Sequence, residues 1–295
     1  MKMIVKILNS PYIHQMRPRQ YAKNIFIFVP LFFDRQLFIP QSLIITFWGF
    51  VTLCILSSGV YVLNDIVDVN ADRNHPQKKY RPIAAGKISI HKAKIFCCAL
   101  FIIAFTMAFF IDKSFFFLCI IMVVINLAYS FKLKHIPLID IITIGMLFII
   151  RVLCGAVLIH VQIFSPWLYI VTFMLALYLG FGKRRAELAG LEGAVKYTRP
   201  VLDGYTIPFL DQLISIISAI IIISYALYTF SGPAVPENNR LLLTIPFVVY
   251  GIFRYLYLLQ VKHQGGAPEE VLFSDRWLQG TIVLYAFFVV FALYL

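Results

Sequence analysis

The chain has 295 residues, of which 61% are apolar, 16% aromatic and only 14% charged, and it carries a formal net charge of +12. Soluble domains sit near about 45–50% apolar and about 25% charged, so this composition excludes a soluble protein and indicates one embedded in a bilayer. In that setting the basic excess is explained by loop charge bias and anionic ligands, and nucleic acid is excluded as a partner.

Apolar windows of roughly 20 residues recur along the chain, which predicts membrane helices rather than the alternating strands of a barrel. We expect nine spans, at 20–33, 41–63, 93–111, 114–131, 137–159, 165–182, 207–230, 241–261 and 277–295. The first is the weakest: it is short and contains Lys23, and a start near Tyr12 is compatible with it. The expected fold class is therefore an all-α integral membrane protein, one polytopic domain over 1–295 with motif loops at about 64–92 and 183–206. Residues 1–16 lack the apolar core and cleavage site of a signal peptide. The five cysteines lie in apolar runs without zinc or disulfide spacing, and the six histidines form no HxxxH pair.

Charge sorts the connections. Of the 26 Lys and Arg residues, only Arg35, Lys113 and Arg240 fall on the side of the lean connections. The positive-inside rule then places the N-terminus in the cytoplasm and, with nine spans, the C-terminus outside. It also places the charged loop after the second span on the cytoplasmic face.

That loop reads NDIVDVNADRNHPQKKYR from Asn64 to Arg81. Asp65, Asp68 and Asp72 are spaced three and then four residues apart, which on an α-helix puts the carboxylates on one face, within about 60°. Clustered anions repel unless a cation joins them, so the pattern asks for a metal ion. Arg73, Lys78, Lys79, Arg81 and Lys87 follow closely and ask for an anion beyond that metal. A phosphate-bearing substrate meets both demands. The competing reading is a solvated charged loop.

Further clusters fall on the same side. Arg17, Arg19, Gln20, Lys23 and Asn24 lead into the first span; Tyr129, Lys132, Lys134 and Asp140 surround the turn after the fourth; Lys183, Arg184, Arg185 and Glu187 end the sixth, with Tyr197, Arg199 and Asp203 after them. Taken singly, such residues are ordinary snorkelling or topology signals. Arg151 is different, because it sits roughly 20 Å into the fifth span. An arginine that deep costs at least about 2.5 kcal/mol to insert, so it should face a polar cavity or pair with a buried polar group such as Asn126. Arg254 lies about 12 Å from its span's end, within snorkelling reach.

The carboxylates fit Mg²⁺, a hard cation that takes one or two protein carboxylates and lets substrate phosphates complete its octahedron. Bound to a diphosphate, Mg²⁺ neutralises charge as the diphosphate departs, which assists substitution at a carbon able to carry positive charge. An allylic prenyl carbon and the anomeric carbon of a ribose both qualify, and the acidic cluster alone does not choose between them.

The stretch NDxxDxxxD followed by HPxKxxRPIAxGxI resembles the first motif of the UbiA-type intramembrane prenyltransferase superfamily. It comprises Asn64, Asp65, Asp68 and Asp72, then His75, Pro76, Lys78, Arg81, Pro82, Ile83, Ala84, Gly86 and Ile88. The resemblance implies nine helices with motif loops after the second and sixth spans, and it covers the whole membrane domain. Most of the superfamily carries a second aspartate-rich motif after the sixth span. This chain departs from that with Gly182-Lys183-Arg184-Arg185-Ala186-Glu187-Leu188. With RPRQYAKN at the start, the Tyr129–Asp140 region and RVLCG at Arg151–Gly155, that departure is similar to the decaprenyl-phosphate 5-phosphoribosyltransferase branch.

The resemblance implies phosphoribosyl diphosphate as donor, a polyprenyl phosphate as acceptor, and Mg²⁺ as cofactor. On that basis Asp65, Asp68 and Asp72 hold the metal and diphosphate with Asn64 positioning them, and Arg17, Lys23, Asn24, Lys79 and Arg81 contact donor phosphates. Tyr129, Lys132, Lys134, Arg151, Lys183, Arg184, Glu187 and Arg199 serve the ribose and the acceptor phosphate. A basic second motif suits this larger anionic load. A prenyltransferase acting on an aromatic acceptor is the alternative, and it calls for a second carboxylate cluster. A transporter of an anionic solute is the remaining reading, disfavoured by the few polar groups on the lean side.

Overall fold

In hydrocarbon the backbone has no water to bond with, so apolar runs of this length must close their hydrogen bonds internally as helices. The computed structural model describes residues 10–162, 165–190, 200–236, 238–264, 271 and 274–295, and no strand occurs among them. Among the described residues, eight helices are long and apolar enough to cross a membrane. They are α1 Pro40–Val67, α2 Ile90–Ile111, α3 Lys113–Phe131, α4 Ile139–Leu158, α5 Pro166–Ala189, α6 Ile207–Ser231, α7 Arg240–Gln260 and α8 Arg276–Tyr294. These match the expected second to ninth spans to within a few residues at most ends. The exceptions are α1 and α5, which run on as helix through the polar residues after their apolar windows.

The expected first span takes a different form. A short helix at Pro11–Met16 gives way to a 3₁₀ stretch at Pro18–Phe28 and one α-helical turn at Val29–Phe33. Arg17 sits between them in the left-handed region at φ 56°. Pro18 and Pro30 withhold backbone donors, which weighs against one regular helix here. Close packing also holds the stretch in place: a Cβ added at Gly155 of α4 would collide with the Ile27 carbonyl oxygen. Only glycine allows that approach.

Helix starts are set by ordinary caps. Ser89, Ser165, Thr206 and Asp275 each accept a hydrogen bond from a backbone N–H three residues on, opening α2, α5, α6 and α8. Proline follows Ile39, Ser165 and Thr206 within the first turn of α1, α5 and α6.

The chain groups into two compact units. The first holds the described residues of Met1–Leu31, Leu37–Phe131 and Ile150–His160. Here α1 packs along α2 and α3, around a core that includes Val62, Val69, Ile83, Ile88, Ala93, Cys97 and Leu100. The second holds Phe32–Gln36, Lys132–Ile149 and the described residues of Val161–Leu295. In it α5 packs along α6 and α7 along α8, with Ile141, Tyr178, Phe181, Leu210, Ile214 and Tyr255 at the centre. Ile102 and Phe110 of α2 and Phe117 and Val124 of α3 remain exposed, as the lipid-facing side of a membrane helix requires.

Candidate functional site

The first unit brings part of the aspartate motif together. Asp65 lies in the last turns of α1, and Asp68 breaks the helix at φ −88°, ψ 7° before it resumes at Val69–Asn74 with Asp72. The chain then doubles back. His75 Nδ1 accepts from the backbone N–H groups of Gln77 and Lys78, and Gly86 takes φ 74°. The return buries Ile83 and Ile88 in the core beside Val62 and Val69 and lays Arg81 over the end of α1. Burial, and then the Lys78 charge, hold the His75 imidazole below its ordinary pKa.

A single Arg81 nitrogen, Nη1, donates to Asp65 Oδ1 at 3.0 Å and to Asp72 Oδ2 at 2.6 Å. Arg17 Nη2 donates to both oxygens of Asp65, at 2.8 Å to Oδ2, and its guanidinium lies 5.2 Å over the Tyr61 ring. Gln15 Nε2 adds a third donor to Asp65 at 2.6 Å. The aspartate side chains are 3% exposed while the Arg17 and Arg81 side chains are 28% and 27% exposed. Isolated buried carboxylates cost several kcal/mol each, and these charge-assisted hydrogen bonds offset that cost.

The expectation of three converging aspartates is therefore revised. Asp65 and Asp72 converge through Arg81, whereas Asp68 is partly exposed at the helix break. Among the described residues no three His, Cys, Asp or Glu side chains gather as a metal-holding group. The donor set still fits a hard divalent cation. One cationic atom already reaches both carboxylates, and Mg²⁺ needs only one or two from the protein.

Deeper in the same unit, the buried Arg151 donates through Nε to Asn24 Oδ1 at 2.9 Å. Asn24 in turn donates to Ser57 Oγ and Cys54 Sγ, both at 3.4 Å. Two predicted site residues thus meet each other. Asn126, one partner anticipated for Arg151, donates its Nδ2 to the Met122 carbonyl of its own helix. Asn64, Lys23, Tyr129 and Lys134 are partly exposed, Lys79 and Lys132 are exposed, and Arg199 lies outside the described residues.

The second unit holds the basic motif of α5. Arg184, 3% exposed, donates through Nε to Asp140 Oδ2 at 2.9 Å and through Nη1 to Glu187 Oε2 at 2.7 Å. The Tyr205 hydroxyl donates to Asp140 Oδ1 at 2.8 Å and accepts from the Leu138 N–H at 2.6 Å. Burial pushes the Tyr205 phenol well above its ordinary pKa, so it stays protonated as that donor. Arg185 pairs with Asp211, which also accepts from Gln260. Lys183 is partly exposed. Arg184 and Glu187, expected at the substrate, are thus bound to each other. Arg254 forms an ion pair with Asp275, which holds that carboxyl below the usual aspartate range while it caps α8.

Sequence reasoning missed Gln15 and Tyr205, whose types carry no motif, and it left Asp140 out of the site although it stands beside the flagged lysines. A buried carboxylate must find donors, but nothing along the chain says which ones.

Eight membrane-length helices among the described residues, with charged clusters buried near the ends of some of them, define an all-α integral membrane protein. Residues 25–278 match the UbiA prenyltransferase family. The chain is 32% identical to a decaprenyl-phosphate phosphoribosyltransferase of Corynebacterium glutamicum, over 98% of this chain and 89% of the relative. It is 29% identical to the enzyme of that name in Mycolicibacterium smegmatis, over 93% and 89%. In fold it is similar to a UbiA homolog from Archaeoglobus fulgidus bound to DMAPP and Mg²⁺, with a TM-score of 0.72 and 18% identity over 96% of this chain and 100% of that one. The chain belongs to the UbiA prenyltransferase family and is a transferase.

Proposed function

We propose that the protein transfers 5-phosphoribose from phosphoribosyl diphosphate to a polyprenyl phosphate, with Mg²⁺, at the cytoplasmic face of the membrane. The observation that carries this reading is the basic motif of α5. Its carboxylate neighbours are already committed: Asp140 and Glu187 to Arg184, and Asp211 to Arg185. Arg184 is sealed from solvent, and among the described residues no three carboxylates gather here as a second cluster of the kind a prenyl diphosphate site calls for. The name of the Corynebacterium relative, similar along nearly the whole chain, supports the same assignment.

Asp65 and Asp72, with Asp68 beside them, would hold Mg²⁺, which supplies charge neutralisation for the departing diphosphate. Arg17, Arg81, Lys79 and Lys23 bind and orient the donor's phosphates. The C1–O bond to the diphosphate breaks, an oxygen of the lipid phosphate bonds to C1, and the electron pair leaves with the diphosphate. The acceptor is already ionised near neutral pH, so no residue need act as a general base. Arg151 lies too deep for free solvent, and through Asn24 it stiffens the 3₁₀ stretch that leads back to Arg17.

The test is purified protein with phosphoribosyl diphosphate, polyprenyl phosphate and Mg²⁺. The expected products are lipid-linked phosphoribose and free diphosphate. Turnover on a prenyl diphosphate with an aromatic acceptor instead would overturn the reading.

A further inference from the structure

We propose that Arg81 and Arg17 are exchange ligands: they neutralise Asp65 and Asp72 in the empty site and pass to the diphosphate when a metal ion takes the carboxylates. This rests on the reading of the cluster as a metal–diphosphate site. Arg81 Nη1 lies within hydrogen-bonding distance of both carboxylates, so a metal shared by them competes for the same lone pairs. Both arginine side chains are more than a quarter exposed and can turn outward into solvent once a metal ion takes over the two buried carboxylates. Arg184, sealed at 3% exposure between Asp140 and Glu187, has no such freedom.

A buried acceptor beside Asp65 also has no donor among the described residues. Gln15 is 1% exposed and gives its Nε2 to Asp65, yet its Oε1 is buried with no hydrogen-bond partner among the described residues. A cluster complete in itself would leave no such acceptor.

The consequence is thermodynamic. Metal alone must displace two guanidiniums and leave them beside a new positive charge. Diphosphate alone meets two carboxylates. Together each ligand removes the other's penalty, so their binding is coupled, and the coupling is reciprocal.

Calorimetry on the full chain in nanodiscs tests this with MgCl₂ alone, inorganic diphosphate alone, and magnesium diphosphate. In the wild type, diphosphate should bind at least about tenfold more tightly with Mg²⁺ than without it. Arg81→Gln should move the two affinities in opposite directions, with Mg²⁺ alone about tenfold tighter and diphosphate in saturating Mg²⁺ about tenfold weaker. Arg17→Gln, which relieves Asp65 only, should do the same to a smaller degree and serves as the second variant if Arg81→Gln melts early. Weaker diphosphate binding with no gain for Mg²⁺ in either variant would make the arginines plain phosphate ligands and overturn the exchange. Unfolding of both variants would assign them to the scaffold and overturn it equally. A folded wild type that binds neither Mg²⁺ nor magnesium diphosphate would instead overturn the diphosphate-site reading itself.

Discussion

Each unit contains two carboxylates bridged by one arginine: Asp65–Arg81–Asp72 in the first, Asp140–Arg184–Glu187 in the second. The charge types and distances are nearly the same, and solvent access is not. Arg81 is 27% exposed and Arg184 is 3%. A bridging arginine that touches water stays solvated while it changes partners, whereas one enclosed by protein cannot leave its carboxylates without itself becoming a buried, unpaired charge. On our proposal the first cluster is the one that meets substrate and the second braces the fold. The basic motif of α5 reads like a ligand set in the sequence, and in the fold its Arg184 is held by two carboxylates.

The sharpest way to break this contrast is Arg184→Met. Removing one partner of an enclosed pair leaves Asp140 buried and uncompensated, at a cost of about 3–5 kcal/mol, to be read as a large fall in melting temperature. If the variant melts like the wild type and loses only activity, Arg184 is a ligand after all. Asp72→Asn should give the mirror result: activity lower by about a hundredfold, equivalent to about 2.7 kcal/mol, with little change in melting, because Arg81 is free to rehydrate. Initial rates and melting curves on the same preparation decide it. Tyr205→Phe removes a donor from Asp140 and an acceptor from the Leu138 N–H, so we expect about 1–3 kcal/mol of destabilisation with activity following stability.

The smallest effect concerns pH. His75 titrates below its ordinary value, so as pH falls through about 6.5 the unfolded chain takes up the proton first and folding loses stability. The loss builds down to the lower folded value and then levels off, and above about pH 7 it is absent. Protonation also removes the acceptor used by Gln77 and Lys78. Melting at pH 7.5 and 5.5 should show a drop that His75→Gln diminishes.

Much of this architecture is legible in the chain. Eight helices follow from hydropathy, because burial in lipid leaves a helix no alternative. The first expected span reads as a helix because its apolar residues suffice, although Arg17, Pro18 and Pro30 disturb its backbone. At the site, the spacing of Asp65, Asp68 and Asp72 predicts a shared face only if the helix is unbroken, and the break falls on Asp68 itself. Which arginine meets which aspartate is not written in the spacing. Arg81 reaches Asp65 only because Ile83, Gly86 and Ile88 fold the loop back, and Tyr205 reaches Asp140 across 65 residues.

The hydrogen bond between Arg151 and Asn24 bears on how the chain is made. The two residues are 127 positions apart, and the asparagine comes first. When α4 leaves the ribosome carrying its costly arginine, the segment that will accept that arginine's hydrogen bond has already been synthesised. Insertion of α4 should therefore depend on the leading segment: a chain lacking residues 10–28 would release α4 to the aqueous side more often, as a glycosylation reporter placed after it would record. The order of residues along the chain thus doubles as an order of assembly.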